Sequence, residues 1–174
     1  MNIPIKYNQN EDEFTNDLTL QMRLENYIKR HFAPIYAIST IAPVYLLGGS
    51  IRDLIYAKKP KDMDFVVMGK ENLDYLLSFF EKFKIEYRYN RFGGFKFNYN
   101  DVEIDLWVTD DLFSSIEYNV DGLFYDVSNN SLISFTFDDF MKNGLKLINS
   151  SNNNPSSKRN EKLIKFEEKF RVNK

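Results

Sequence analysis

The sequence predicts an α+β domain in which helices flank a mixed β-sheet. Three observations support this class. Apolar residues recur at helical spacing near both ends of the chain, and several strand-like runs lie close together in its middle. In addition, 43% of the 174 residues are apolar, which is enough for a sizeable core. Strands that follow one another without a helix between every pair favour α+β over a strictly alternating fold.

In the first half of the chain, a loose acidic leader over residues 1–16 is expected to precede a domain spanning residues 17–149. The helices here are predicted from apolar residues that share one face, and the strands from short apolar runs. In chain order the predicted elements are a helix over 17–32, a strand over 44–47, a helix over 51–56, a strand over 65–68 and a helix over 71–83.

The second half of the chain is richer in strands. Residues 102–108 alternate apolar and polar side chains, which predicts a strand with one buried face. Ser128 to Ser131 predict a hairpin turn, residues 150–157 a linker, and 158–174 a C-terminal segment that is largely one helix. The other predicted elements are strands over 85–91, 95–99, 120–127, 132–135 and 145–148, and helices over 110–118 and 137–143.

The composition excludes several classes of protein. No apolar run approaches the roughly 20 residues that cross a bilayer, and the N-terminus lacks the regions of a signal peptide, so we expect a cytoplasmic protein without membrane contact. The chain has no cysteine, which excludes disulfides and thiolate metal sites. A formal net charge of −2 argues against binding long nucleic acid by overall charge.

The stretch from Val44 to Met68 carries the chemistry. Gly48-Gly49-Ser50 follows an apolar strand and opens a helix, so free backbone N–H groups face an anion such as a phosphate. Asp62 and Asp64 are two residues apart at the start of a second apolar run, and on a strand both carboxylates point to one side. A phosphate cradle beside paired carboxylates predicts metal-assisted phosphoryl chemistry.

The compound pattern resembles the catalytic head of the nucleotidyltransferase superfamily, in the branch of bacterial poly(A) polymerases and CCA-adding tRNA nucleotidyltransferases. That signature is GG-x-x-RD, a short helix and D-x-D, which stand here as Gly48 to Asp53 and Asp62 to Asp64. The resemblance covers residues 44–148 and implies a polymerase-β-like fold. It also implies a bound Mg²⁺ or Mn²⁺, a nucleoside triphosphate such as ATP as substrate, and an acceptor that is RNA or tRNA, a protein or a small molecule.

The resemblance assigns roles to individual residues. Asp62 and Asp64 are expected to bind the metal together with a third carboxylate, for which Asp105 is our choice because it leaves the apolar side of its strand; Glu103 points the same way and is the alternative. The backbone of Gly48 and Gly49 would approach the triphosphate.

Three further residues are candidates for contacts with the nucleotide. Ser50 would either cap the helix or contact phosphate, and Arg52 would bind triphosphate oxygens or else pair with a carboxylate. Arg159 is also a candidate because the family places basic residues near the nucleotide after this linker. Asp53 is assigned to bracing the loop.

Two departures leave alternatives open. The family continues with R-R-D-F-x-I-N-A-L-x-Y-D, whereas this chain has Ser115 and Ile116 in place of both arginines and Glu117 as the acid. Only about two dozen residues follow Ser150, so the helical domains that select the base and grip tRNA have no counterpart in them. The chain is therefore either an active enzyme, an inactive nucleotide-binding or protein-interaction module, or a subunit whose other domains lie on a partner chain.

Overall fold

The computed structural model describes residues 19–56, 58–90, 93–149 and 157–172. Its centre is one mixed sheet of seven strands in the order β3-β4-β5-β2-β1-β6-β7. The strands are β1 (Val44–Leu47), β2 (Asp62–Met68), β3 (Arg88–Tyr89), β4 (Phe95–Tyr99), β5 (Val102–Thr109), β6 (Leu123–Asp126) and β7 (Ser131–Ser134). Strands β2 and β5 run parallel, and the other neighbouring pairs are antiparallel. The predicted α+β class with a mixed sheet is confirmed.

The helices of the described residues cover one face of this sheet. They are α1 (Leu20–Phe32), α2 (Ile35–Ser39), α3 (Gly49–Ile55), α4 (Leu73–Lys82), α5 (Phe137–Asn143) and α6 (Ser157–Val172). Each contributes buried apolar side chains to one large core, together with alternate residues of the strands such as Phe65 and Ile104. None of these helices has the length and apolar character needed to cross a membrane.

The opposite sheet face carries only a small apolar cluster. Buried side chains of Leu47, Val66 and Phe124 meet there with Leu112 and Ile116 from the loop after β5. Because side chains alternate along a strand, the polar residues of β2 and β5 project from this same face. The loop covers one part of it, and the carboxylates occupy another.

The main differences from the predicted elements lie in short segments. Residues 110–118, predicted as a helix, contain only a 3₁₀ turn at Phe113–Ser115. Local bonds explain this, since Asp111 accepts from the N–H of Phe113 and the Thr109 hydroxyl accepts from the N–H of Asp111. Such side-chain bonds compete with helix formation.

Two predicted strands are shorter in the structure than in the prediction. The strand predicted over 145–148 is a single bridge between Tyr118 and Leu147, and the strand predicted over 85–91 shortens to β3. Helix α2 was not predicted. The helices at 137–143 and at the C-terminus are confirmed. The predicted leader and most of the linker lie outside the described residues.

Candidate functional site

The carboxylates of β2 and β5 form what we call the acidic face, defined by Asp62, Asp64, Glu103 and Asp105. In the parallel pairing of these strands, Asp62 lies beside Glu103 and Asp64 beside Asp105. Neighbouring strands are about 4.8 Å apart. The four acidic side chains therefore project close together from the side of the sheet that faces away from the helices. The structure thus brings the sequence-predicted carboxylates together on one surface.

Asp64 is the centre of this face and is only partly exposed. Among the described residues, no donor makes a hydrogen bond to its carboxylate, and no cation pairs with it. Burial, then the charges of Asp62 and Asp105, raise the pKa of Asp64 from its usual 3.8 to about 7, although Arg52 and Lys96 oppose the shift. Such a group is stabilised in its charged form by a nearby cation.

Gly48 brings the backbone against this carboxylate. Its φ is +82°, and a Cβ placed on it would lie 2.7 Å from Oδ2 of Asp64. Only glycine accepts both the backbone conformation and the close approach. Gly49 differs, because a Cβ there would meet no atom within 4 Å. The glycine pair therefore combines one residue that the site requires with one that leaves open space beside it.

Asp105, our choice for the third carboxylate, already has two partners. Lys96 on β4 donates to Oδ2 at 3.0 Å, and the amide of Asn90 donates to Oδ1 at 3.2 Å. Lys96 also contacts Oε1 of Glu103 at 2.6 Å. These hydrogen bonds, that of Glu103 first, raise the pKa of Lys96, so the ammonium stays charged.

The described residues contain no group of three acidic or histidine side chains already arranged to hold a metal ion. The donor set nevertheless suits a hard divalent cation, which prefers carboxylate oxygens. Asp64 provides a carboxylate without a donor, Asp62 lies two residues away on the same side of the strand, and Asp105 is held next to them by Lys96. The residues present fit such a cation, with Asp105 available once Lys96 moves.

The structure also places the residues predicted to contact phosphate. The Ser50 side chain is buried and its hydroxyl donates to the Leu47 carbonyl at 3.3 Å, so a phosphate contact through this residue would use its backbone N–H. Asp53 accepts the N–H groups of Tyr56 and Lys58 on its backbone carbonyl, which ties down the end of α3.

Arg52 and Arg159 meet at a residue that the sequence reasoning missed. Asp121 is 3% exposed and accepts from Arg52 at 2.8 Å on one oxygen and from Arg159 at 2.8 Å on the other. Arg159 also contacts Glu117 at 3.1 Å. We call this group, Arg52, Glu117, Asp121 and Arg159, the arginine latch. It connects α3 and α6 to the 3₁₀ turn before β6.

A signal for the latch was present in the sequence. The family block has asparagine where this chain has Asp121, in the segment from which both arginines are missing. An added acid in that position indicates cationic partners elsewhere in the chain, because a buried carboxylate is costly unless it is paired. Lys96 was also missed, since it reaches Asp105 through the pairing of β4 with β5. Asn90 was missed because its position depends on its bonds to Gly94 between β3 and β4.

Comparison with known proteins supports the fold. No family model matches the chain, and no curated protein sequence does either. Among solved structures, the Thermotoga maritima CCA-adding enzyme complexed with tRNA has a TM-score of 0.57 at 19% identity, covering 84% of this chain and 37% of that one. A CCA-adding enzyme with CTP has a TM-score of 0.56 at 19% identity, covering 86% and 37%.

A tRNA nucleotidyltransferase complexed with a primer tRNA and an incoming ATP analog is similar over a shorter region. Its TM-score is 0.51 at 17% identity, with 62% of this chain and 36% of that chain covered. The present chain thus spans little more than a third of the length of these neighbours. At this level of identity the comparison establishes the nucleotidyltransferase head fold, as the sequence pattern predicted.

Proposed function

We propose that this protein is a metal-dependent nucleotidyltransferase that transfers a nucleoside monophosphate from a nucleoside triphosphate to a hydroxyl acceptor. One observation carries the proposal. The parallel pairing of β2 with β5 places Asp62, Asp64 and Asp105 on one face, and Gly48, directly after β1, lies so near the Asp64 carboxylate that an added Cβ would be 2.7 Å from Oδ2. Carboxylates next to an open backbone turn are the elements that metal-assisted phosphoryl transfer uses.

Asp62 and Asp64 would hold Mg²⁺ or Mn²⁺, and Asp105 would join them. The bound cation would neutralise the triphosphate and polarise the reacting phosphoryl group. The acceptor oxygen forms a bond to the α-phosphorus while the bond to the pyrophosphate oxygen breaks. Asp105, beside Asp64 in the register, is in our assignment the group that receives the proton of the acceptor hydroxyl.

The chain's own residues would also position the triphosphate. The backbone of Gly48 and Gly49 provides the close approach, since Gly49 has open space around it. Arg52 uses one guanidinium nitrogen for Asp121, and a guanidinium has further donors for phosphate oxygens. We also assign Arg159 to a nucleotide contact, because the Asp121 carboxylate binds both guanidinium groups and so holds Arg159 next to Arg52.

For the acceptor we propose an RNA, with tRNA as the first candidate. The support is the fold shared with solved structures that contain tRNA, CTP and an ATP analog. We also propose a partner subunit, which would supply further RNA contacts. We place the reaction in the cytoplasm, where tRNA and nucleotides meet.

A second candidate is an inactive nucleotide-binding or protein-interaction module on the same fold. Two observations favour it. Both oxygens of Asp105 are engaged by Lys96 and Asn90, and Arg52 and Arg159 are both engaged by Asp121. In this alternative the latch only stabilises the fold, and nucleotides bind without being consumed.

The test is label transfer from each α-labelled nucleoside triphosphate, with Mg²⁺ or Mn²⁺ and with tRNA, total RNA or cellular protein as acceptor. Wild type is compared with the double variant Asp62→Ala, Asp64→Ala. Loss of several kcal/mol of charge stabilisation predicts a drop of roughly 10³-fold or more. Asp110→Ala, which removes an exposed acid paired with Lys70, is the matched control and should transfer like wild type.

The outcomes separate the two candidates. Transfer by wild type and by Asp110→Ala, but not by the double variant, supports catalysis and identifies the nucleotide and the acceptor. Nucleotide binding without transfer by any protein would contradict the proposal and support the inactive module. Equal transfer by wild type and the double variant would assign the activity to a contaminant.

A further inference from the structure

Lys96 has the position of an internal cation on the acidic face. Its ammonium lies 3.0 Å from Oδ2 of Asp105 and 2.6 Å from Oε1 of Glu103. The side chain is 24% exposed, so it is largely shielded and its charge is only partly screened. In the pairing of β4 with β5, Lys96 stands directly opposite Asp105. Residues opposite each other in a sheet have adjacent Cβ atoms, so the register of the two strands determines this contact.

Lys96 also interacts electrostatically with Asp64, whose carboxylate has no ion pair. Its charge lowers the pKa of Asp64, in the direction opposite to the neighbouring acids. Lys96 therefore compensates part of the negative charge that Asp62, Asp64, Glu103 and Asp105 concentrate on this face. A divalent cation bound to Asp64 would lie in the same field and would be repelled by the ammonium.

We propose that Lys96 is a built-in counter-ion that occupies Asp105 in the metal-free protein and lowers the affinity of the acidic face for divalent cations. This inference rests on the proposed function, because it assumes that the face binds a metal. Binding then requires exchange: the ammonium leaves Oδ2 of Asp105, and the freed carboxylate oxygen becomes available to the metal.

Glu103 provides the place to which the ammonium moves. It already forms the shorter of the two contacts with Lys96, and its other oxygen lies 3.6 Å from Arg88. When the ammonium of Lys96 leaves Asp105, its ion pair with Glu103 remains. The exchange therefore breaks one ion pair and not two. Glu103 then acts through Lys96 and is a positioning residue, not a metal ligand.

The experiment measures Mn²⁺ alone, without nucleotide, by calorimetry or by the loss of the free-ion electron paramagnetic resonance signal. Lys96→Met keeps most of the length of the side chain and removes its charge. Because one repulsive charge and one competing partner disappear, we expect Mn²⁺ to bind about tenfold tighter or more. Lys96→Arg retains the charge and should restore an affinity within about threefold of wild type.

A matched control is available at Lys146, whose ammonium lies 3.0 Å from Oδ1 of Asp139, the same length as the pair with Asp105. Asp139 is not on the acidic face. Lys146→Met removes the same charge and the same length of ion pair elsewhere, and it should leave Mn²⁺ affinity unchanged. Asp64→Asn provides the second control, and it should abolish binding at this site.

A double-mutant cycle tests Glu103. If it anchors Lys96 away from Asp105, Glu103→Gln weakens Mn²⁺ binding more in the wild-type background than in the Lys96→Met background, where only the loss of its own negative charge acts on the cation. A loss of the same size in both backgrounds would show that Glu103 acts independently of Lys96 and would overturn its role as the anchor for Lys96.

Thermal unfolding shows whether Lys96 has only a structural role. In the absence of metal, Lys96→Met should unfold at a lower temperature than wild type, and Mn²⁺ should raise its melting temperature by more than it raises that of wild type. Equal Mn²⁺ affinity of Lys96→Met and wild type would overturn the inference and leave the proposed function intact. Binding of Mn²⁺ by neither protein would overturn both.

Discussion

Two aspartates close to Arg52 differ in how their charge is paired. Asp121 is almost fully buried and is held between two arginines, whereas Asp64 is partly buried between two further aspartates. Arg52 donates to Asp121 but only lowers the pKa of Asp64 through space. A paired buried charge belongs to the architecture of a protein, whereas an unpaired and partly exposed one indicates a binding site for a ligand.

The latch also explains how α6 is attached to the rest of the domain. Helix α6 buries Leu163 and Phe170 in the main core and pairs Arg159 with Asp121 and Glu117. The acidic face, by contrast, is not covered by any helix of the residues that the structure describes. The difference teaches that Asp121, where α6 packs onto the domain, is fully paired, whereas the Asp64 carboxylate has no ion pair at the place where a cation would bind.

The largest effect on stability is expected from Asp121→Ala. It removes the common partner of two arginines, one of which is only 17% exposed, so breaking this buried network should cost about 3 kcal/mol. Urea unfolding measures the loss. The control Asp110→Ala removes an acid that is 57% exposed and should cost no more than about 1 kcal/mol. Similar losses in both variants would show that the latch does not hold the fold together.

The next effect concerns the contact between Gly48 and Asp64. Gly48→Ala forces a Cβ against the carboxylate and a side chain into a glycine-only backbone region, which should cost about 2 kcal/mol and weaken Mn²⁺ binding. Gly49→Ala is the matched control, because its Cβ meets no atom; we expect almost no change. If both substitutions were equally harmless, the close approach of backbone to carboxylate would be refuted.

A third effect, which appears only as the pH rises, is the pH dependence of Asp64 in metal-free protein. Its pKa in the folded state is about 7, above the usual value, so the folded state holds this proton more tightly than the unfolded chain. The resulting stabilisation is complete below about pH 4 and is lost as the pH rises through about 7. Asp64→Asn should therefore gain stability over wild type as the pH rises from 4 to 8, by up to about 4 kcal/mol, and should differ little from wild type at pH 4. An equal difference at both pH values would contradict the uncompensated charge.

The sequence predicted the acidic face better than the latch, and the reason is physical. Asp62, Asp64 and the alternation that exposes Asp105 are local features, because the direction of a side chain follows from its place along a strand. The glycine turn and most helices are local in the same sense. The latch joins residues 69 and 38 positions apart, and Lys96 reaches Asp105 through the pairing of two strands, so neither could be found by periodicity.

The failure at residues 110–118 has a related cause. The composition of this segment permits a helix, yet Thr109 and Asp111 cap the backbone locally and the segment lies over Leu47, Val66 and Phe124. Tertiary packing and side-chain hydrogen bonds therefore decided its conformation. Conversely, α5 ends at Gly144 as predicted, because a glycine with positive φ stops a helix wherever it occurs.

The most direct test of the account is Mn²⁺ binding and thermal unfolding measured together on Asp64→Asn and Asp121→Asn. We predict that the two variants separate the properties. Asp64→Asn loses Mn²⁺ binding and melts at or above the wild-type temperature, whereas Asp121→Asn melts at a lower temperature and binds Mn²⁺ like wild type while folded. If Asp64→Asn instead melted lower and bound Mn²⁺ unchanged, Asp64 would be a structural residue and the assignment of the acidic face to a metal would be wrong.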